Sequence, residues 1–213
     1  MFEGKIEEYI LSHISPEPPF LAALNRETHL HHLYSRMCSG HLQGRILKML
    51  TAMISPKQIL ELGTFTGYSA LCFAEGMPAD AHLHTVEIED ELEEHLTSLF
   101  EASSYAERIH LHIGNALDII PSFTQKFDMV FIDADKRIYK KYYDEVFPKV
   151  NVGGYILADN TLWDGKIVDM EANHDAQSLG IAEFNDFVVK DPRVETVILP
   201  LRDGLTVLRK ISD

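Results

Sequence analysis

The sequence predicts an α/β fold built on an open, mostly parallel sheet, with additional helices at the N-terminus. After Ser55-Pro56, short apolar runs alternate with helical stretches, as in sheets that carry helices on both faces. Residues 1–55 have apolar spacings of three and four, which are typical of helices. The last two apolar runs are separated only by "RDG" (202–204), which predicts an antiparallel hairpin.

Length and composition are those of one soluble globular domain. The chain has 213 residues, of which 46% are hydrophobic and 24% charged. We predict a single domain over 1–213, in which a helical extension (1–55) packs on an α/β core (56–213). The net charge of −14 argues against nucleic acid or an anionic membrane as partner, because both require a basic surface.

The location expected from the sequence is a reducing cytoplasm. No stretch approaches the length of a membrane span, and the first 20 residues lack the pattern of a signal peptide. The two cysteines, Cys38 and Cys72, form neither a disulfide framework nor a C-x-x-C site.

Taken in order, the elements begin with helices in "FEGKIEEYILSHI" and "GHLQGRILKMLTAMI". Seven apolar runs then predict strands, and helical segments separate the first five. The predicted strands are 58–63, 81–88, 108–114, 127–133, 153–159, 194–201 and 205–211.

The first strand ends in "ELGTFTGYSA" (61–70), where Gly63 and Gly67 bracket a tight turn before a helix that starts at 66–69. Glycines allow a ligand to approach the backbone closely, and the N–H groups of such a turn can receive a carboxylate or phosphate. Because ligands of open α/β sheets bind at the carboxyl ends of the strands, this turn is a candidate binding site.

The next two strand ends indicate an adenosine-containing cofactor. Glu87 ends the second strand 24 residues after Gly63, where an acid accepts hydrogen bonds from ribose hydroxyls. After the third strand, Asn115 and Ala116 are placed to border an adenine. A dinucleotide site would require G-x-G-x-x-G, whereas the chain has G-T-F-T-G (63–67), so a nucleoside is favoured. The structural alternative is a tight turn with an incidental surface glutamate.

The fourth and fifth strand ends carry a candidate cation site. Asp133 closes the fourth strand, and Asp159 and Asn160 close the fifth. Neighbouring parallel strands lie about 4.8 Å apart, so the three side chains can meet. Two carboxylates and an amide oxygen suit Mg²⁺ or Ca²⁺ rather than Zn²⁺. The alternative from the residues alone is that the acids are helix caps or solvated loop residues.

Three strings, "ELGTFTGYSA", "FIDADKRIYKKYYD" and "GGYILADNTLWDGKIVD", resemble the cation-dependent O-methyltransferases. This family uses S-adenosylmethionine and includes the caffeoyl-CoA and catechol O-methyltransferases. The resemblance extends from "MCSGHLQGRIL" (37–47) to "LPLRDGLTVLRK" (199–210). It implies a Rossmann-like class I methyltransferase fold with seven strands, usually assembled as a homodimer.

The resemblance also implies roles for individual residues. Lys136 matches the general base and Asp133 belongs to the catalytic centre, while Asp164 stands where some plant members have a substrate-contacting asparagine. The residues that match ligands of the divalent cation (Mg²⁺, Ca²⁺ or Mn²⁺) are Asp133, Asp159 and Asn160. The residues that match cofactor contacts are Ser39, Glu61, Gly63, Thr64, Ser69, Glu87, Ala116 and Asp135.

The function predicted from these observations is methyl transfer from S-adenosylmethionine to a hydroxyl of a small phenolic acceptor with two adjacent hydroxyls. Chelation of both hydroxyls by the cation would lower the pKa of the phenol and orient the attacking oxygen. Two alternatives stay open at this point. One is an NAD-dependent oxidoreductase of Rossmann type, and the other is a non-catalytic protein that binds the cofactor and interacts with partners.

Overall fold

The structure is a computed structural model that describes residues 3–213. It contains one seven-stranded sheet, and six of its strands lie within two residues of their predicted bounds. The strands are β1 (Gln58–Leu62), β2 (His82–Glu87), β3 (Ile109–Ile113), β4 (Phe127–Ile132), β5 (Val150–Asp159), β6 (Val194–Leu199) and β7 (Leu205–Lys210).

The strand order is β3-β2-β1-β4-β5-β7-β6. The first five strands are parallel, and β7 is antiparallel to both β5 and β6. The predicted α/β class with an antiparallel C-terminal hairpin is therefore confirmed. The last strand inserts between β5 and β6, which the sequence pattern did not specify.

Strand β5 begins at Val150, three residues earlier than predicted from "GGYILAD". Its pairing with β4 shifts register between Phe127 and Met129, and Gly153 adopts φ +90°. A bulge of this kind lets the strand continue through the two glycines that were expected to begin it.

The helices flank the sheet and confirm the helical nature of the N-terminal segment. Phe2, with which the first predicted helix begins, lies outside the described residues, as does Met1. Between residues 3 and 213, no helix is long and apolar enough to cross a membrane. The helices are α1 (Glu3–Ser12), α2 (Pro19–His31), α3 (Gly40–Ile54), α4 (Tyr68–Gly76), α5 (Glu93–Glu101), α6 (Ala116–Ile119), α7 (Tyr139–Val146) and α8 (Ala176–Val188).

Both faces of the sheet are buried. On one face, Ile59 packs with residues of α2–α5 such as Leu47 and Phe73. On the other face, Leu60 packs with residues of α6–α8 such as Phe184. Consecutive residues of β1 thus enter opposite cores, which explains why its sequence is a continuous apolar run.

The carboxyl ends of β1 and β4 come so close that only glycine fits between them. A Cβ atom on Gly63 would lie 2.2 Å from the carbonyl oxygen of Asp133, and its φ of +99° is itself unfavourable for other residues. The N-terminal helices reach this end of the sheet, since the hydroxyls of Thr28 and Thr66 lie 2.9 Å apart. The division into an extension (1–55) and a core (56–213) stays a prediction.

Candidate active site

A cavity of about 1550 Å³ opens at the carboxyl ends of the parallel strands. It brings together every residue to which the resemblance assigns a role except Glu61, which is fully buried behind the wall. Gly67 and Asn115, which were also selected from the sequence, do not line the cavity. The selected residues that line it are Ser39, Gly63, Thr64, Ser69, Glu87, Ala116, Asp133, Asp135, Lys136, Asp159 and Asn160.

The turn after β1 has the predicted conformation. The N–H of Gly67 donates to the carbonyl oxygen of Thr64 at 2.9 Å, and α4 begins at Tyr68, within the predicted range. Gly67 adopts φ +85°, and a Cβ there would lie 2.8 Å from Leu99. The turn therefore needs both of its glycines.

Glu61 supports this turn from below. The Ser69 hydroxyl donates to Oε1 at 2.6 Å, and the Thr85 hydroxyl donates to Oε2 at 2.6 Å. Burial raises the pKa of Glu61 to about 8, although the two hydroxyl hydrogen bonds oppose that change. The structure thus places Glu61 where it orients Ser69 rather than where it faces the cavity.

Glu87 is held rigidly at the end of β2. Its Oε2 accepts from the backbone N–H of Phe65 at 2.6 Å, and its Oε1 accepts from that of Glu89 at 2.9 Å. The carboxylate is only 5% exposed, yet it lines the cavity. Further along, Ala116 begins α6, and the side-chain oxygen of Asn115 caps that helix by accepting from the N–H of Leu117.

Lys136 and Asp133 form an ion pair inside the cavity. The Lys136 Nζ atom lies 2.5 Å from Asp133 Oδ1, and their side chains are only 11% and 18% exposed. The ammonium also lies 5.1 Å from the centre of the Tyr139 ring, which favours a positive charge.

Asp135 is paired within its own turn. Its carboxylate accepts from the backbone N–H of Arg137 and forms a two-pronged contact with the Arg137 guanidinium. These hydrogen bonds lower the pKa of Asp135. A cofactor group that bound Asp135 would meet a carboxylate that already has a partner.

Asp159 lies beside Asp133, because Ala158 of β5 pairs with Ile132 of β4. Asp159 is 4% exposed, and burial together with the Asp133 charge raises its pKa. The next residue, Asn160, adopts the left-handed conformation (φ +58°), which asparagine tolerates better than most residues.

The chemistry of this set fits a hard divalent cation. Two adjacent carboxylates repel each other, and together with the Asn160 amide they offer only oxygen ligands. Within residues 3–213, no three His, Cys, Asp or Glu side chains form a group suited to a metal ion. The candidate cation site has only two carboxylates, Asp133 and Asp159, and its third ligand is the Asn160 amide. One of these carboxylates, Asp133, is paired with the Lys136 ammonium.

The loop that follows β5 adds an aromatic residue, Trp163, to the cavity lining. Trp163 and Asp164 both line the cavity, and both have positive φ values, +47° and +51°. The indole Nε1 of Trp163 is buried without a hydrogen-bond partner among the described residues. The backbone N–H of Asp164 donates to the Asp203 carboxylate, which ties this loop to the turn between β6 and β7.

Several residues of the site could not be identified from the sequence, because only tertiary contacts give them a role. Thr85 donates to Glu61, Tyr139 donates to the backbone at the ends of β4 and β5, Gln43 donates to Asp159, and Arg202 donates to Gln43. Gln43 lies in a helical run and Arg202 in a hairpin turn, where neither residue type signals a binding site.

Comparison with known proteins assigns the chain to a family. The profile of the family described as O-methyltransferase matches residues 11–211. The chain belongs to the O-methyltransferase family. Caffeoyl-CoA O-methyltransferase 5 of Nicotiana tabacum is 32% identical to it, with 96% of this chain and 90% of the relative covered. Caffeoyl-CoA O-methyltransferase 1 of Eucalyptus globulus is 34% identical, over 88% of this chain and 80% of the relative.

Solved structures agree with the family assignment. The O-methyltransferase TomG of Streptomyces achromogenes, determined with S-adenosylmethionine, is 27% identical and has a TM-score of 0.89, with 98% and 96% of the two chains covered. A Podospora anserina methyltransferase has a TM-score of 0.91 at 24% identity, with 100% and 96% covered, which supports the fold.

This O-methyltransferase therefore has the predicted class I methyltransferase fold and depends on S-adenosylmethionine. The family assignment gives no support to the alternative of an NAD-dependent oxidoreductase.

Proposed function

We propose that this O-methyltransferase methylates one hydroxyl of a small aromatic acceptor with two adjacent hydroxyls, such as a catechol or a caffeoyl group. The proposal includes a divalent cation (Mg²⁺, Ca²⁺ or Mn²⁺) and Lys136 as general base. The observation that supports it most is that Asp133, Lys136, Asp159 and Asn160 line the same cavity as the candidate cofactor residues.

On the cofactor side, the residues offer complementary contacts. The turn at 63–67 would receive the carboxylate of the methionine moiety at the backbone N–H groups of Thr64 and Thr66. The other N–H groups of the turn, those of Gly63, Phe65 and Gly67, already donate within the protein. Glu87, fixed by two backbone N–H groups, has lone pairs left for the ribose hydroxyls. Ala116 would leave room for the adenine, and Ser39 and Asp135, which line the same cavity, would contact the methionine end as the resemblance implies.

On the acceptor side, Asp133, Asp159 and Asn160 would hold the cation. When bound, the cation supplies a Lewis acid that acidifies a phenolic hydroxyl. Lys136 would accept the phenolic proton, which requires its ammonium to leave Asp133 and lose a proton first. Trp163 would stack against the aromatic ring and exclude water.

The transfer itself is a displacement at the methyl carbon. The acceptor oxygen forms the new carbon–oxygen bond as the carbon–sulfur bond breaks, and the electron pair goes to the departing sulfur. Holding both reactants in line contributes up to about 7–11 kcal/mol in well-oriented reactions. A rigid wall formed by strand ends suits that task better than mobile loops.

The first test is methyl transfer from labelled S-adenosylmethionine to caffeic acid, with Mg²⁺, Ca²⁺ or Mn²⁺ and with excess chelator. We expect turnover with a metal and none with chelator, restored when the metal is added back. Turnover that persists in excess chelator would contradict the proposed requirement for a divalent cation. Tight cofactor binding without turnover of caffeic acid, catechol or caffeoyl-CoA would contradict the acceptor class.

We also propose a homodimer, which the family resemblance implies. The N-terminal helices expose large apolar side chains, among them Leu30 and Met53, which are 64% and 74% exposed. A second copy of the chain would cover them. Light scattering during gel filtration tests this, and a mass near 24.2 kDa would contradict it.

A further inference from the structure

Gln43 is a buried polar residue that contacts a candidate cation ligand from a distant part of the chain. It lies in α3 and is 1% exposed. Its Nε2 donates to Asp159 Oδ2 at 2.7 Å, although 116 residues separate the two in sequence. Within residues 3–213, the only other side-chain hydrogen bond of Gln43 is the one with Arg202.

Arg202 determines the orientation of that amide. Its Nη1 donates to Gln43 Oε1 at 2.6 Å. Because a guanidinium has only donors and a carboxylate has only acceptors, the amide oxygen must face Arg202 and the amide nitrogen must face Asp159. The Gln43 amide, between the Arg202 guanidinium and the Asp159 carboxylate, therefore has only one orientation that satisfies both neighbours.

The same guanidinium also holds the segment that leads into α3. Arg202 Nη1 donates to the carbonyl oxygen of Ser39 and lies 3.3 Å from that of Cys38. Both residues line the cavity on the side assigned to the cofactor. Arg202 itself sits in the turn between β6 and β7 with φ +47°, a conformation that directs the chain back across the site.

We propose that Gln43 is a positioning residue for Asp159, and that Arg202 acts through Gln43 while it fixes the segment at 38–39. This inference rests on the proposed function. The Gln43 amide hydrogen-bonds one oxygen of the Asp159 carboxylate, which restricts rotation of the carboxylate and leaves the other oxygen free of this contact. It also offsets part of the cost of burying an ionised carboxylate beside Asp133.

The proposal predicts a defect in metal binding that a purely structural role would not cause. Gln43→Met keeps the length and burial of the side chain and removes the amide. Outer hydrogen-bond partners of metal ligands typically change metal affinity by about 10–100-fold. We therefore expect the dissociation constant for Mn²⁺, measured by electron paramagnetic resonance of the free ion, to rise by that factor.

A matched control exists in the same helix. Thr51 is fully buried, and its hydroxyl donates to the carbonyl oxygen of Leu47 at 2.7 Å, without contact to the cavity. Thr51→Val should leave Mn²⁺ affinity unchanged, even though it removes a buried hydrogen bond. Thermal unfolding of each variant separates a loss of metal binding from a loss of folded protein.

Arg202→Met, at an exposed position, removes the hydrogen bond that orients the Gln43 amide. We expect it to weaken Mn²⁺ binding and also to raise the KM for S-adenosylmethionine, since it frees the segment at 38–39. For Mn²⁺, the double variant Gln43→Met/Arg202→Met should be no weaker than Gln43→Met, because Arg202 acts through Gln43. Additive losses would overturn this order of action.

The outcomes distinguish this inference from the proposed function. If Gln43→Met binds Mn²⁺ as tightly as the wild type, the positioning role is wrong and the cation site stands. If the wild type binds no Mn²⁺ at all, the cation site fails and the inference fails with it. If Gln43→Met binds Mn²⁺ more weakly while Thr51→Val binds it as the wild type does, the result supports both the cation site and the positioning role of Gln43.

Discussion

The hydroxyl of Tyr139 lies 3.0 Å from the backbone carbonyl oxygen of Asp159 and 3.2 Å from that of Ile132. A fully buried side chain of α7 thus ties together the ends of β4 and β5, where the candidate cation ligands begin. The spacing between Asp133 and Asp159 depends on this contact as well as on the sheet.

Tyr139→Phe should destabilise the fold and loosen the site. Removal of one buried hydrogen bond costs about 1 kcal/mol of unfolding free energy, measured by urea denaturation. We also expect weaker Mn²⁺ binding, because the two strand ends lose their common donor. The control is Tyr155→Phe on β5, since the Tyr155 side chain is half-buried and lies outside the cavity lining. Equal Mn²⁺ affinity in the two variants would contradict the link.

Lys136→Met should abolish the proposed proton transfer. General-base catalysis contributes about 10²–10⁴-fold to turnover, so kcat should fall by a factor in that range, while calorimetry should give a cofactor affinity close to that of the wild type. Lys140→Met is the matched control, because Lys140 pairs with Asp144 at 2.6 Å on α7, away from the cavity. An unchanged kcat for Lys136→Met would remove Lys136 from the mechanism.

Glu61 should make the fold less stable as the pH rises. Its pKa is about 8 in the folded protein, well above the usual value near 4.3 of an unfolded chain. The folded state therefore binds the extra proton between these values, and the unfolding free energy contributed by this group falls across that window.

Glu61→Gln removes this titration. The difference in unfolding free energy between Glu61→Gln and wild type should shift in favour of the variant as the pH is raised from about 5 to 8, measured by urea denaturation. A difference that does not change with pH would mean that Glu61 is already ionised in the folded protein.

Three histidines on neighbouring strands, His84, His110 and His112, should have the opposite pH dependence, because burial lowers the pKa of each. His82 and His84 of β2 contact His110 and His112 of β3, with ring nitrogens 3.0 and 3.1 Å apart. Burial and the neighbouring imidazoles lower the pKa of His84 to about 4. Because the unfolded chain binds the proton more tightly, stability should be lost as the pH falls from about 6.5 to about 4.

His84→Gln should reduce that loss of stability at low pH, as measured by thermal unfolding between pH 4 and 7. His31→Gln, at an exposed position of α2, should follow the wild type. If His84→Gln loses as much stability on acidification as the wild type, the histidine contacts do not govern this response.

The sequence alone determined the order and type of the elements. Periods of two and 3.6 residues, glycines at the turn and acids at strand ends are local signals, because backbone geometry and the need to bury apolar residues act within a few positions. Gly63, Glu87, Asp133 and Asp159 were found in this way, since each follows a strand whose end must face the binding edge.

Only the tertiary structure decided how these residues are held. Glu61 matches a cofactor contact in the sequence, yet it lies behind Ser69, because its hydrogen bonds to Ser69 and Thr85 satisfy a carboxylate that the packed core buries. Gln43 and Arg202 carry no local pattern. Gln43 contacts Asp159 across 116 residues and Arg202 contacts Gln43 across 159 residues, only because the sheet order brings α3, β5 and the last hairpin to one edge. Contacts of that kind depend on packing between distant segments, whereas a sequence pattern records only what neighbours along the chain require.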